Sequence, residues 1–462
     1  MTSRSRIALD SLLAAAGWED APLERLSIAA HPPQLATPWP IAPMASAALA
    51  AVGLAVSRIA DLRGGHGPRI HVDSRSAELA MASSSHLLVD GRPAKFRDPF
   101  TGFHQARGGD WVYLHGNFPH LRDGLLAMLG VDNDPDAVAA AVRERSAAEI
   151  EAEAIARNLC AARVRSRADW LAGPQAAALG AQPRIRCEKL ADAPPRVWHG
   201  AGAHALSGLR VLDLTRVIAG PMGGRTLAEH GATAMRIAGP GLPAITSLVI
   251  DTGFGKLSAM LDLNAPAGRE ALARLIREGD VFIDGYRPDA LAARGFGPEA
   301  LTALNPSLVS VKLTAFGAGS AWQGRRGYDS LVQATLGMTA PGPDGRPMLL
   351  PCQPIDYLTG YLIAFAAMVA LIRQTREGGR WHAALSLSAT AEWMWLMRAA
   401  LGDEADPPVS SPKPGEAAAL SDHHRTAFGA VQVLRPALLL DGAPADWARL
   451  PVPLGSDPAE WP

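Results

Sequence analysis

LPCQPIDYLTGYLIAFAAMVALIRQTREGGRWHAALSL, from Leu350 to Leu387, decides how the chain is read. A proline-broken loop leads to Asp356. The apolar run Tyr357 to Ile372 is long enough for a helix of about four turns. RQTREGGR is a charged turn with glycines, and Trp381 to Leu387 alternates as a strand does. One carboxylate therefore stands at the mouth of a buried helix. On local sequence Asp356 reads as an N-cap, since Asp is favoured there and the helix dipole stabilises a negative charge. A chemical role has to come from the rest of the chain.

Working outward, the same layout recurs near the N-terminus. SAALAAVGLAVSRIA is an apolar helix (45–60), DLRGGHGPR a charged glycine turn, RIHVDS a strand and AELAMAS a helix. Glycines at Gly64, Gly65 and Gly67 answer Gly378 and Gly379, so the order of elements points to an internal repeat. The earlier copy has no Asp or Glu between Glu24 and Asp61, so it cannot do chemically what Asp356 does.

The chain has 462 residues, 48% of them hydrophobic and 19% charged, with a net charge of −1. That is the composition of a globular protein of about three domains. There is no basic excess to hold nucleic acid, so an anionic ligand must be met by local Arg and Lys. Cys160, Cys187 and Cys352 lie far apart with no metal-ligand spacing, as expected of a reducing cytoplasm. The N-terminus reads as an amphipathic helix interrupted by Asp10, not as a signal peptide. The run after Asp356 reads as too short to span a bilayer.

Five segments are expected. Residues 1–94 carry the first helix–strand copy, with 1–44 read as a helix followed by a Pro-rich loop. Residues 95–185 form a small α+β unit, in which RADWLAGPQAAALG is one short helix, and 186–205 form a linker. In 206–402 strands alternate with helices (LRVLDLT, TAMRI, LSAMLDL, VFIDGY, LVSVKLTAF), which predicts an α/β, doubly wound, mainly parallel Rossmann-like sheet. Ligands of such sheets bind beyond the carboxyl ends of the strands. Residues 403–462 are a linker and closing tail with one weak strand, FGAVQVLRPALLL.

The glycine-rich loop TRVIAGPMGGRT is neither GxGxxG nor a Walker loop. It signals close backbone approach, and Arg216 and Arg225 flank it where they could meet phosphate. His423 and His424 sit in an expected loop with no third metal ligand nearby. No GxSxG elbow is present. Asp329, after Arg325–Arg326–Gly327–Tyr328, reads locally as another cap.

Taken together these blocks resemble the class III CoA-transferase family. LSGLRVLDLTRVIAGPMGGRTLAEHGATAMRI is similar to its opening strand, CoA loop and second strand, and LDLNAPAGREALARLIREGDVFIDGYRPDALAARGFGPEALTALNPSLVSVKLTAFG to its central block. RRGYDSLVQATLGM resembles its PGYD helix, and PIDYLTGYLIAFAAMVAL its catalytic-Asp helix. Residues 45–185 resemble the later part of the same family, so the chain resembles two incomplete copies fused in tandem. The first lacks the CoA-binding front and the Asp; the second lacks room for a small domain.

The resemblance implies that Asp356 is a nucleophile. It also implies that Arg216, Val217, Ala219, Gly220, Pro221, Arg225, Arg236, Lys256, Tyr286, Arg287, Tyr328 and Asp329 line the CoA ester. No permanently bound cofactor and no metal are implied; the coenzyme A ester is a substrate, with a carboxylic acid as partner. Family members form interlocked dimers, so a monomeric pseudo-dimer or a homodimer is expected, without nucleic acid or membrane. Two family features are altered: TGFGKLS replaces a basic block, and Ala238 replaces the acid after the second strand. Tyr328 stands where racemase relatives carry His, which favours transfer over racemisation. Acyl-CoA racemase chemistry and a non-catalytic CoA-binding scaffold remain the alternatives.

Overall fold

The Tyr357–Ile372 run extends to a 24-residue helix, Pro354–Glu377, in a computed structural model that describes residues 2–93, 98–198, 200, 202–442 and 447–462. Beside it lies the 22-residue Ile41–Leu62. Among the described residues these two helices are long and apolar enough to cross a bilayer by length and composition, so the expectation of too short a run is corrected. Both are almost wholly buried within protein. Small side chains line the earlier helix, and Gly53 sits where an added Cβ would come 2.6 Å from Ile70 Cγ2.

The helix Pro354–Glu377 packs on a seven-stranded sheet. Across the sheet the order is Lys256–Met260, Thr233–Ala238, Arg210–Leu214, Val281–Asp284, Val309–Thr314, Arg380–Ser386 and Arg186–Ala191. The first six are mutually parallel and the last is antiparallel. Counted along the chain from Arg210, the parallel strands run 3-2-1-4-5-6, the order of a dinucleotide-binding sheet, as expected from the alternating strands and helices. The direction of winding reverses between Arg210–Leu214 and Val281–Asp284, which opens a crevice at their carboxyl ends.

Several boundaries move. Residues 186–205 were expected as a linker, but Arg186–Ala191 completes the main sheet: Ala383 pairs with Cys187 and His382 with Glu188. Leu26–Ala29, between the expected first helix and the Pro-rich loop HPPQLATPWPIAPM, is a strand parallel to Ile70–Asp73. RADWLAGPQAAALG divides into Arg167–Leu171 and Pro174–Gly180 at Gly173. His423 and His424 lie on the strand Ser421–Thr426, which pairs with Gly429–Leu434, so the expected loop there is a hairpin. Thr246–Asp251 is a helix the sequence reading missed. The boundary drawn at residues 94–95 lies outside the described residues, as do parts of the linker (199, 201) and tail (443–446).

Two three-stranded arrangements echo each other. Val309–Thr314 and Arg380–Ser386 are parallel, with a long helix between them in sequence, and Arg186–Ala191 adds antiparallel. Leu26–Ala29 and Ile70–Asp73 are likewise parallel around Ile41–Leu62, and Leu438–Leu440 adds antiparallel. Each closing strand comes from the other half of the chain. The spacing from Pro40 to Gly64 equals that from Pro354 to Gly378, and in this register Ala42 occupies the place of Asp356. The 102–163 segment has its own core around Phe103, Tyr113, Leu121 and Ile150, into which Leu331 and Ala334 of the second half insert.

Because each half finishes the other's sheet, a fragment of residues 206–462 expressed alone should be insoluble or unfolded. Co-expression with residues 1–198 should restore a soluble complex that copurifies. A folded 206–462 fragment, read by circular dichroism and cooperative melting, would contradict this.

Candidate active site

Asp356 is the third residue of its helix, not the cap. The cap position belongs to Gln353, whose side chain makes no capping bond. Capping comes instead from a neighbouring element: Asp329 Oδ2 accepts the Ile355 N–H at 2.9 Å and the Asp356 N–H at 3.0 Å. The expectation of Asp356 as N-cap is therefore corrected, and Asp329 caps a helix other than its own. Gln333 Nε2 donates to Asp329 Oδ1, and Gln333 Oε1 accepts the Leu350 N–H at 2.8 Å, which ties the preceding loop to the same carboxylate.

Asp356 is 5% exposed, and no hydrogen bond from a described residue reaches its carboxylate. Burial pushes its pKa well above the ordinary carboxylate range, and the Asp329 charge pushes in the same direction. Two carboxylates this close titrate as a pair, because ionising the second costs the repulsion of the first.

The glycine-rich loop reaches the same place from the other side. Val217 has φ +75°, a left-handed conformation unusual for a β-branched residue and the kind of strain that clusters at functional loops. Gly220 packs on Thr215, where an added Cβ would come within 2.3 Å of the Thr215 Cβ. From Ala219 the chain enters the helix Ala219–Glu229, and Gly223 meets Ile363 and Gly360 of the Asp356 helix at similarly close range. Ala219, Met222 and Gly223 thus meet that helix at Gly360 and Ile363, while Gly220 packs on Thr215 and Pro221 O accepts from Lys256.

The four expected cations separate. Lys256 is buried under the loop, donating to Asp213 Oδ2 and Pro221 O, both at 2.6 Å. Arg225 pairs with Asp251 at 3.2 Å and stacks on Trp447. Both point inward, so the expectation that they line the ligand crevice is corrected: each neutralises a fully buried aspartate. Arg236 donates to Thr252 Oγ1 at 2.7 Å and to Val249 O, while still bordering the crevice. Arg216 is exposed at its mouth.

The crevice lies at the switch point. Arg216, Val217, Pro221, Arg236 and Tyr286 line it, joined by Phe118, Ile245 and Leu454, which the sequence did not flag. Tyr328 stacks face to face on His115, with centroids 4.1 Å apart and planes 7° apart, and Phe118 lies at 5.8 Å. His120 sits within 3.0 Å of Arg326, and its pKa is lowered by burial and then by Arg326 and Arg216. Arg287 donates to Asn158 Oδ1 at 3.0 Å. A cationic rim thus gathers at the seam between the 102–163 segment and the sheet. His115, Phe118 and His120 carry no motif and lie far from Asp356 in sequence; Arg326 was visible only as part of the RRGYD cluster. Among the described residues no cluster of three or more His, Cys, Asp or Glu could hold a metal.

Residues 206–438 match the profile of CoA-transferase family III. The chain belongs to that family. It is 31% identical over 261 residues to the Mycobacterium tuberculosis protein named "Probable fatty acyl-CoA transferase Rv3272", covering 50% of this chain and 65% of the relative. It is 35% identical over 202 residues to the succinate–glutarate CoA-transferase of Agrobacterium fabrum, covering 39% and 50%. A formyl-CoA:oxalate CoA-transferase from Bradyrhizobium sp. is 31% identical over 188 residues, covering 38% and 44%. The chain thus spans between 44% and 65% of the length of these relatives. Among solved structures, the orthorhombic form of Rv3272 from M. tuberculosis superposes with a TM-score of 0.40 at 31% identity, covering 43% of this chain and 56% of that one.

With no capping duty, Asp356 can lose its charge at a net gain. A carboxyl whose folded pKa is raised contributes stability at low pH that disappears as pH rises through that pKa. Asp356→Asn should therefore melt above the native protein at about pH 8, with the difference vanishing by about pH 4. A variant that melts lower at the upper pH would restore the capping role to Asp356.

Proposed function

We propose that the protein is a transferase that moves CoA between an acyl-CoA thioester and a carboxylic acid, with Asp356 as the covalent nucleophile. The observation that carries this is a buried carboxylate that accepts no hydrogen bond from a described residue, at a helix start whose Ile355 and Asp356 N–H groups are already capped, close to Tyr328, which Arg216 and Arg326 also approach. The relatives' names support the reaction class.

The chemistry follows from the carboxylate. An Asp356 oxygen attacks the thioester carbonyl carbon, the C–S bond breaks, and CoA leaves as thiolate from a mixed anhydride. The thiolate attacks the Asp356 acyl carbon and releases the donor acid, leaving an aspartyl-CoA thioester. An acceptor carboxylate then attacks that thioester and expels the thiolate. Attack of the thiolate on the acceptor's acyl carbon gives the new acyl-CoA and restores Asp356. Each step is an exchange between activated acyl groups, so one difficult transfer becomes several easier ones. Burial, and the absence of a hydrogen-bond donor among the described residues, leaves the negative charge of the ionised Asp356 on its oxygens for attack. Tyr328, Val217 and Pro221 form the wall against which the acyl group lies, and Arg216, Arg236, Arg287 and Arg326 are the cations available to phosphate. The two halves act as fused copies that build one site per chain; the exchanged closing strands support this.

One observation favours a second reading. His115 lies over the Tyr328 ring, so an imidazole is present on the small segment although the Tyr328 position lacks one. A racemase would use such a His with Asp356 to move an α-proton.

Asp356→Asn should bind acyl-CoA with near-native affinity and lose transfer, and hydroxylamine added during turnover should modify Asp356 alone. The pH–rate profile should show an acid limb above the ordinary carboxylate range, and Asp329→Asn, which keeps an oxygen acceptor for the two N–H groups, should move that limb to lower pH. Transfer retained by Asp356→Asn would end the covalent reading. Deuterium exchange at the α-carbon of a chiral acyl-CoA without transfer would establish the second.

A further inference from the structure

The first half of the chain has Ala42 where the second has Asp356, yet it touches the start of the Asp356 helix at several points. The Gln353 N–H donates to Met81 O at 3.2 Å. The Ser84 N–H donates to the Tyr357 hydroxyl at 2.8 Å, and Ser83 Oγ donates to Asp251 Oδ1 at 2.6 Å. Tyr357 closes the circuit by donating its hydroxyl to Asp251 Oδ2 at 3.0 Å, while Arg225 donates to Oδ1 at 3.2 Å. Asp251 and Tyr357 are 0% exposed, and Ser83 and Ser84 are 3% exposed. One carboxylate therefore collects donors from three distant parts of the chain: the first half, the loop helix and the reactive helix.

A junction meant only to cohere would be built more cheaply from apolar side chains, because a buried charge must recover a large desolvation cost from its partners. Directional bonds fix geometry instead. Tyr357 follows Asp356 directly, so its side chain leaves the helix about 100° further round. Asp329 holds the Ile355 and Asp356 N–H groups at the helix end, and Asp251 with Ser84 holds Tyr357 from another side. Two anchors at different angles on one turn fix both its height along the axis and its rotation about it. Rates of covalent attack depend steeply on such placement, with about 1 Å of displacement costing about a hundredfold.

We infer that Ser83, Asp251 and Tyr357 form a positioning clamp through which the first half of the chain, itself without a nucleophile, aims Asp356 at the bound acyl group. The inference rests on the transferase reading above and goes beyond it by giving the incomplete half a task. The three are positioning residues, since none is placed against the substrate.

The test compares Ser83→Ala, Ser83→Thr and Tyr357→Phe with the native protein. Ser83→Ala and Tyr357→Phe should each lower kcat by about tenfold or more, with KM for acyl-CoA unchanged within about twofold and the acid limb of the pH–rate profile unmoved. Ser83→Thr, which retains the hydroxyl, should recover most of the rate. Hydrogen exchange of the 353–360 amides should accelerate in Ser83→Ala. Native kcat in both hydroxyl-less variants, or a loss carried by KM, overturns the clamp. If the native protein transfers no CoA, the transferase reading fails on its own; the exchange measurement then decides the clamp, and unchanged protection of 353–360 in Ser83→Ala overturns it.

Discussion

Two backbone N–H groups at the head of a buried helix, Ile355 and Asp356, are satisfied by the carboxylate of Asp329, and the site depends on that bond pair. A helix start buried without partners would be costly. Had Asp356 itself supplied the cap, its oxygens would be engaged and its charge stabilised. By bringing the cap from a different helix, the fold leaves Asp356 unengaged and adds a second negative charge beside it. Both effects raise the energy of the ionised carboxylate in the resting protein. The fold tolerates this because Asp329 is held by Gln333, which in turn holds Leu350.

Several buried charges around this site meet an opposite charge. Asp213 meets Lys256, Asp251 meets Arg225, and Glu151 meets Arg165 and Arg325. The repeat draws attention to a pair that differs. Glu392 and Glu78 are equally spaced from Pro354 and Pro40 in sequence. Glu392 receives Arg167 and Trp170 from the first half. Among the described residues Glu78 receives the N–H groups of Gln34 and Leu35 and no cation, and burial pushes its carboxyl up to about 7. The second half supplies no small segment to bring an arginine to Glu78, so the asymmetry of the halves is written into one residue's titration.

Much of this was legible in the sequence, for a physical reason. Strands buried on both faces read as near-continuous apolar runs, so LRVLDLT, VFIDGY and LVSVKLTAF were placed closely, as was the helix behind Asp356. What the sequence hid depends on contacts between distant segments. Arg186–Ala191 is mostly polar and half exposed, and it is a strand only because Arg380–Ser386 offers an edge. Lys256 and Arg225 look like phosphate ligands until Asp213 and Asp251 are seen beneath them. His115 and Phe118 come to Tyr328 through packing between segments that no local pattern links.

The exchanged closing strands also order the chain's assembly in time. As the polypeptide leaves the ribosome, Leu26–Ala29 and Ile70–Asp73 emerge first, and their antiparallel neighbour Leu438–Leu440 follows only after the whole main sheet has been made. Until then Ile70–Asp73 presents an open edge, and the apolar Ile41–Leu62 helix has no Pro354–Glu377 to pack against. Exposed edges and apolar faces are what drive nascent chains together. The exchange of closing strands therefore carries a vulnerable interval during synthesis, which ends only once Leu438–Leu440 has been translated.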